Sequence, residues 1–246
     1  MSAPEQRRVA IVTGASRGLG KAIALRFGRA GDRVVVNYKN RSSDAADVVE
    51  EIRSSGGEAF AFRADVGIGS EVDAMVQDTV ERWGVLDILI NNAGITHDAF
   101  ALRMSERDWD DVMTTNLKGT FHCIRAASRV MAKQLAGHII SISSIVGMQG
   151  REGQANYSAS KAGVLGLTKA CAQELGCFDV KVNAVLPGYL QTDMAVALSP
   201  AMEDRIVREN VLQRGNDSRE VVEFVYRLSC MNNVSGQIFN LDSRIL

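Results

Sequence analysis

Cysteine is scarce in this chain of 246 residues, and the four present, Cys123, Cys171, Cys177 and Cys230, form no Cys-x-x-Cys pair. That excludes a disulfide-stapled scaffold and a thiolate zinc site, and reduced, buried thiols are expected. Histidine is scarcer, with His97, His122 and His138 at no metal-ligand spacing, so no metal site is expected. Proline occurs only as Pro4, Pro187 and Pro200, and no linker, low-complexity tract or internal repeat divides the chain. No apolar run is long enough to span a bilayer, and the opening MSAPEQRR leads into a strand-like stretch without the apolar core of a secretory signal. A cytoplasmic protein with no membrane association is expected. Lys plus Arg number 28 against 29 Asp plus Glu, and the formal net charge of -1 argues against a nucleic-acid partner.

What is present is a regular alternation. Short β-branched runs at 9–13, 33–38, 58–63, 86–91, 138–143, 180–185 and 236–241 are separated by longer stretches of helical periodicity. Several runs are almost continuously apolar, the pattern of a parallel strand covered by helices on both faces. The expectation is an α/β fold: one domain over residues 1–246, a doubly wound, parallel, seven-stranded sheet with right-handed helical crossovers. Ser105-x-x-Asp108 reads as the cap of a helix carrying Trp109, Val112, Met113 and Leu117 at helical spacing. The polar, Met-containing segment 187–215 reads as a lid over a site.

Directly after the first run stands Thr13-Gly14-Ala15-Ser16-Arg17-Gly18-Leu19-Gly20, then a helix. Glycine permits a tight reversal and a close approach of backbone N–H groups to a pyrophosphate, and a helix N-terminus adds partial positive charge. A glycine turn alone is equally compatible with a purely structural role. Its position between strand and helix, without a following Lys-Ser/Thr pair, favours a dinucleotide over a nucleoside triphosphate. At the end of the second run stands Asn37, where a carboxylate would accept from a ribose 2′-hydroxyl and repel a 2′-phosphate. Lys39, Arg41 and Arg17 lie around it, which favours NADP(H); the alternative is that they are ordinary solvated cations.

After the fifth run come Ser143 and Ser144, and then Tyr157-Ser158-Ala159-Ser160-Lys161 at the head of a helix. Four residues are one turn, so Tyr157 and Lys161 share a face. Most Tyr-x-x-x-Lys pairs are only surface neighbours, but the preceding strand and serine give this one chemical context. An ammonium favours phenolate and helps Tyr157 exchange a proton with a carbonyl oxygen, while Ser144 hydrogen-bonds that oxygen. Asn116, inside the helix that begins near Ser105, is either an exposed polar position or a functional exception.

Together, TGASRGLG at 13–20, NNAG at 91–94, Asn116, Ser144, YSASK at 157–161 and PG at 187–188 resemble the classical short-chain dehydrogenase/reductase family, in order and over essentially the whole chain. NAGIT at 92–96, VGMQGREGQANYSASKAG at 146–163 and LPGYLQTDM at 186–194 are most similar to 3-oxoacyl-[acyl-carrier-protein] reductases. The resemblance implies a Rossmann-type sheet, a catalytic tetrad of Asn116, Ser144, Tyr157 and Lys161, and an asparagine-held water relay to the lysine. It implies cofactor contacts from Gly14, Ser16, Arg17, Gly18, Leu19 and Gly20, from Asn37, and from Asp65 and Val66 by the adenine. Asn91, Ala93 and Gly94 would line the cofactor, with Pro187, Gly188 and Thr192 near the nicotinamide end. It further implies NADPH-dependent reduction of a 3-oxoacyl thioester, on acyl carrier protein or CoA, to the (3R)-3-hydroxyacyl thioester in fatty acid or related lipid synthesis, and a homotetramer, a dimer being the alternative. Rival expectations are a reductase of another ketone or secondary alcohol, and a non-catalytic cofactor-binding subunit of a mixed oligomer.

Two departures from the family pattern stand out. The last strand closes as Leu241-Asp242-Ser243-Arg244 in place of a Val-Asp-Gly-Gly-like turn, which is expected to alter a subunit contact. Leu135 and Phe178 occupy positions where carrier-docking cations are usual, with Arg125, Arg129 and Lys133 nearby. An acidic carrier is steered less strongly by such a surface, so a specialised acyl carrier protein or a CoA thioester is the expected partner.

Overall fold

The computed structural model describes residues 7–190 and 200–244, with the side chains of 200–203 not described. The strands are β1 (Val9–Val12), β2 (Arg33–Tyr38), β3 (Glu58–Arg63), β4 (Ile88–Asn91), β5 (Gly137–Ile142), β6 (Val180–Leu186) and β7 (Ile238–Asn240). They form a seven-stranded sheet in the order β3-β2-β1-β4-β5-β6-β7. Every pairing is parallel, with Ile11 opposite both Val35 and Leu89 at the centre. Chain order reverses direction between β1 and β4, and in such sheets the crevice at the carboxyl ends of these strands is where ligands bind.

The period of two along each strand distributes the core between two layers. Ala10 and Val12 face α1 (Gly18–Arg29), α2 (Ser42–Ser54) and α9 (Ser218–Leu228), where Phe27, Ile52 and Val225 are fully or almost fully buried. Val9 and Ile11 face α3 (Gly69–Trp83), α5 (Gly119–Gln134) and α7 (Ala155–Leu175), against Met75, Met131 and Cys171. The other α-helices among the described residues are α4 (Glu106–Val112), the single turn α6 (Val146–Gln149) and α8 (Pro200–Glu209). Among the described residues no helix is long and apolar enough to cross a membrane.

The helix expected from Ser105 forms, and the Ser105 hydroxyl accepts from the Asp108 amide at 3.1 Å. It does not run straight into α5: Met113–Lys118 is a π-helical turn, and Asn116 lies within it. π-turns inside longer helices concentrate at functional sites because the extra residue re-aims side chains. At the other end of the chain, neither Ser243 nor Arg244 takes a left-handed backbone conformation, so loss of the glycine pair creates no strain there. The described parts of the expected 187–215 lid are a loop to Leu190 and then α8; residues 191–199 of it lie outside the described residues.

Candidate functional site

A cleft of about 450 Å³ opens along the carboxyl ends of β1, β2, β4, β5 and β6. Its phosphate end is the glycine turn between β1 and α1. Gly14 adopts φ +61°, and a Cβ placed there would stand 2.9 Å from the Ala93 Cα, so the position requires glycine twice over. Thr13 and Asn92 bind this turn to the segment after β4. The Thr13 hydroxyl accepts from the amides of Asn92 and Ala93 at 2.9 and 3.0 Å, and Asn92 Nδ2 donates to the carbonyls of Thr13 and Gly14.

Asn37 is buried, and its Oδ1 accepts from the Gly14 amide at 3.1 Å while its Nδ2 donates to the Ala64 carbonyl at 3.1 Å. Its carboxamide therefore braces the glycine turn against the strand ends. The rim beyond it carries Tyr38, Lys39, Asn40 and Arg41 with no carboxylate at the end of β2. Lys39 Nζ lies 2.6 Å from the Asp65 carboxylate, whose pKa is lowered overall: burial opposes the shift, and the Lys39 contact and the Gly67 amide outweigh it. Arg41 pairs with Asp44 at 3.1 Å.

The reaction end collects residues from three elements and the loops between them. Ser144 follows β5, Tyr157 and Lys161 project from the first turns of α7, and all three line the cleft. The sequence placed Tyr157 and Lys161 on one face, and Lys161 Nζ stands 5.6 Å from the Tyr157 ring centre. Lys161 is buried and donates to the Ile142 carbonyl at 2.8 Å; burial pushes its pKa down to about 8. Burial pushes the Tyr157 phenol up to about 12; the Ser144 hydroxyl acts against that shift and the Asp98 charge reinforces it. Desolvation dominates the phenol, and at neutral pH Tyr157 is protonated, suited to giving a proton.

Asn116 stands behind this pair, 1% exposed. Its Oδ1 accepts from the Ile95 amide at 2.8 Å, and its Nδ2 donates to the Ile95 carbonyl and to Ser160 Oγ. A Cβ on Gly94 would lie 3.3 Å from Asn116 Oδ1 and 3.6 Å from Lys161 Nζ, which measures how closely the three segments converge. Asn116 is therefore not an exposed helix residue.

Most expected cofactor residues line this cleft: the 14–20 turn at Gly14 and Ser16 to Gly20, Asn37, Asp65, Val66, Ala93, Gly94, Pro187 and Gly188. Asn91 does not; it is buried at the end of β4, where its Nδ2 donates to Ser141 Oγ on β5 at 3.2 Å. Thr192 lies outside the described residues. Sequence reasoning missed the bracing side chains. Asn156, fully buried, donates to the carbonyls of His97 and Asp108 and accepts from the Tyr157 amide at 2.8 Å, which sets the start of α7. Its position beside Tyr157 was visible, but its long-range partners were not. Arg151, Gln154 and Arg244 also line the reaction end without having been expected there.

Residues 8–203 match the family model described as short chain dehydrogenase. Among curated proteins, the chain is 47% identical over 216 residues to the 3-oxoacyl-[acyl-carrier-protein] reductases FabG of Staphylococcus epidermidis and Staphylococcus aureus, covering 88% of each chain. It is 46% identical over 238 residues to the 3-oxoacyl-[acyl-carrier-protein] reductase of Synechocystis, covering 96% of this chain and 95% of that one. A solved structure assigned as a short-chain alcohol dehydrogenase from Sinorhizobium meliloti superposes with a TM-score of 0.91 at 32% identity, over 96% of this chain and 95% of the other.

Proposed function

The chain belongs to the short-chain dehydrogenase family, and from that premise we propose that it is an NADPH-dependent reductase of 3-oxoacyl thioesters, forming (3R)-3-hydroxyacyl thioesters for fatty acid or related lipid synthesis. The observation that carries this reading is the convergence of Ser144, Tyr157 and Lys161 on the cleft into which the glycine turn opens. A backbone cradle that tolerates no Cβ at Gly14, at the N-terminus of α1, fits a pyrophosphate. The rim of Tyr38, Lys39, Asn40 and Arg41 lacks the carboxylate that would repel a 2′-phosphate, and Arg17, Lys39 and Arg41 are the cations lining this end of the cleft.

When bound, the nicotinamide supplies the hydride that reaches the carbonyl carbon. The protein supplies position and the proton. Ser144 Oγ hydrogen-bonds the substrate oxygen, Tyr157 Oη gives it a proton as the alkoxide forms, and Lys161 holds positive charge beside the resulting phenolate. Asn116 anchors the Ile95 segment behind Lys161, and the family's asparagine-held water relay would reprotonate the site from there.

Leu135 and Phe178 are exposed, at 61% and 39%, at the ends of α5 and of the turn after α7. An apolar surface there suits a specialised carrier protein or a CoA thioester better than a strongly acidic carrier. The protein acts as a homotetramer, a reading supported by Trp109 and Phe121, both more than one-third exposed on α4 and α5; light scattering that finds a monomer would overturn it.

Following NADPH absorbance with matched acetoacetyl-carrier and acetoacetyl-CoA thioesters tests the whole reading. Consumption with either supports ketoreduction, and none with any 3-oxoacyl thioester refutes it. A strong preference for a standard acidic carrier removes the carrier argument alone. Lys39→Glu should lower the preference for NADPH over NADH roughly tenfold; an unchanged ratio would remove Lys39 from the cofactor reading.

A further inference from the structure

The reaction end of the cleft contains two arginines that the reduction itself does not use. Arg151 lies in the loop between α6 and α7, and Arg244 follows β7; both line the cleft beside Tyr189, Leu190 and Ile206. Arg244 stands in the segment that departs from the family's glycine-rich closing turn. Its side chain folds back on Asp242, with Nε donating to Oδ1 at 2.9 Å and Nη2 donating to Oδ2. The Asp242 side chain is fully buried and Arg244's is 12% exposed, so the pair is a fixed part of the wall. Nη1 makes no hydrogen bond to any described residue.

Arg151 is partly buried, and its guanidinium makes no hydrogen bond or ion pair with a described residue. Burial lowers its pKa; the Arg244 charge adds to that shift and Asp98 opposes it. The carboxylates nearby are already engaged. Asp98 accepts from Gln154 Nε2 at 2.9 Å and forms no ion pair with Arg151, and Asp242 is held by Arg244. Glu209 and Arg205, on α8, also act on Arg151, the first raising its pKa and the second lowering it. A partly buried guanidinium with no acceptor among the described residues, lining the same cleft as a second arginine already fixed by Asp242, is stabilised by an oxyanion bound between them.

We propose that Arg151 and Arg244 form an oxyanion-binding subsite that selects thioester substrates carrying a negatively charged oxygen group. The inference rests on the ketoreductase reading and names what that site discriminates. Two parts of a thioester supply such a group: a carboxylate on the acyl chain, or the phosphate of the pantetheine arm. Arg151, Arg244 and Tyr157 line the same cleft, so a charged group held there belongs to a substrate whose carbonyl meets Tyr157.

The test measures kcat/KM for three substrates: a neutral 3-oxoacyl N-acetylcysteamine thioester, the same thioester with a terminal carboxylate on the acyl chain, and acetoacetyl-CoA. In Arg151→Gln, the ratio of charged to neutral substrate should fall roughly 10- to 100-fold, with the loss in KM, and Arg151→Lys should recover part of it. A fall for the carboxylate alone assigns the acyl chain, and a fall for the CoA thioester alone assigns the phosphate. Ratios unchanged within about twofold for both overturn the proposal. Calorimetric titration of the NADP⁺-loaded protein with glutarate and with phosphopantetheine gives a readout independent of turnover. Saturable binding lost in Arg151→Gln supports the subsite even if no thioester is reduced, and no binding of either overturns it. Arg244→Lys, which keeps a cation next to Asp242, should weaken the same ligands; equal affinity would remove Arg244 from the site.

Discussion

At the phosphate end of the cleft, the surface offered to a ligand is mostly backbone, and the side chains behind it, Thr13, Asn37 and Asn92, spend their hydrogen bonds holding that backbone in place. At the reaction end the working surface is side chain, and Ser144, Tyr157 and Lys161 arrive from a strand end and a helix, braced by a π-turn and a buried asparagine. The difference teaches where each end is vulnerable. Backbone recognition fails when the chain cannot take its path, whereas side-chain chemistry fails when a single polar atom is removed.

The largest effect is expected from removing one such atom. Tyr157→Phe should lower the rate of NADPH oxidation roughly 10²- to 10⁴-fold, because a general acid is lost, while fluorescence titration shows NADPH still bound. Turnover at the wild-type rate would break the assignment of the proton donor. At the opposite end, Gly14→Ala should act on binding and not on chemistry. A side chain at φ +61° and 2.9 Å from Ala93 costs about 2 kcal/mol, so the NADPH dissociation constant should rise roughly 30-fold with the kcat of the saturated enzyme nearly kept. A kcat loss matching that of Tyr157→Phe would erase the distinction between the two ends.

A smaller effect follows from the charge on Lys161. Its pKa is depressed to about 8, so the ammonium is present below that pH and lost above it. The reductive rate should fall as pH rises through about 8, by about fivefold between pH 8 and 9 if only the charged form supports turnover. Lys161→Arg should move that limb upward or abolish it; an unmoved limb would assign it to another group. The smallest effect lies outside the cleft, at the amino end of β5. Burial, with help from Lys181 and Arg8, depresses the His138 pKa to about 4 against an ordinary value of 6.5. Between those values the unfolded chain binds a proton that the folded chain does not, so stability falls as pH drops from 6.5 to 4. Thermal melts of His138→Asn should show a shallower loss over that window, with NADPH oxidation unaltered.

These contrasts also explain which features were readable in advance. All seven strands were visible because a buried parallel strand leaves an apolar run, and their ends shifted by only a residue or two. The Ser105 cap was readable because its partner lies three residues away. Asn37 was read as a neighbour of the cofactor's ribose, yet its side chain turns inward to Gly14 and Ala64, a choice made by a strand 27 residues distant. Asn91 was expected to line the cofactor, and pairing of β4 with β5 directs its carboxamide to Ser141. Arg244 was visible only as a departure at the end of the chain.

The Tyr157–Lys161 spacing, the glycine turn and the alternation of strand and helix follow from the sequence by itself, because each is a periodicity or a steric property carried by residues close together in the chain. The burial that holds Lys161 at about 8 and Tyr157 at about 12, the π-turn that brings Asn116 beneath Gly94, and the lining of one cleft by both Arg151 and Arg244 were decided only by tertiary structure. Desolvation and convergence depend on what the rest of the chain places around a residue, and that surrounding is created only when the sheet assembles.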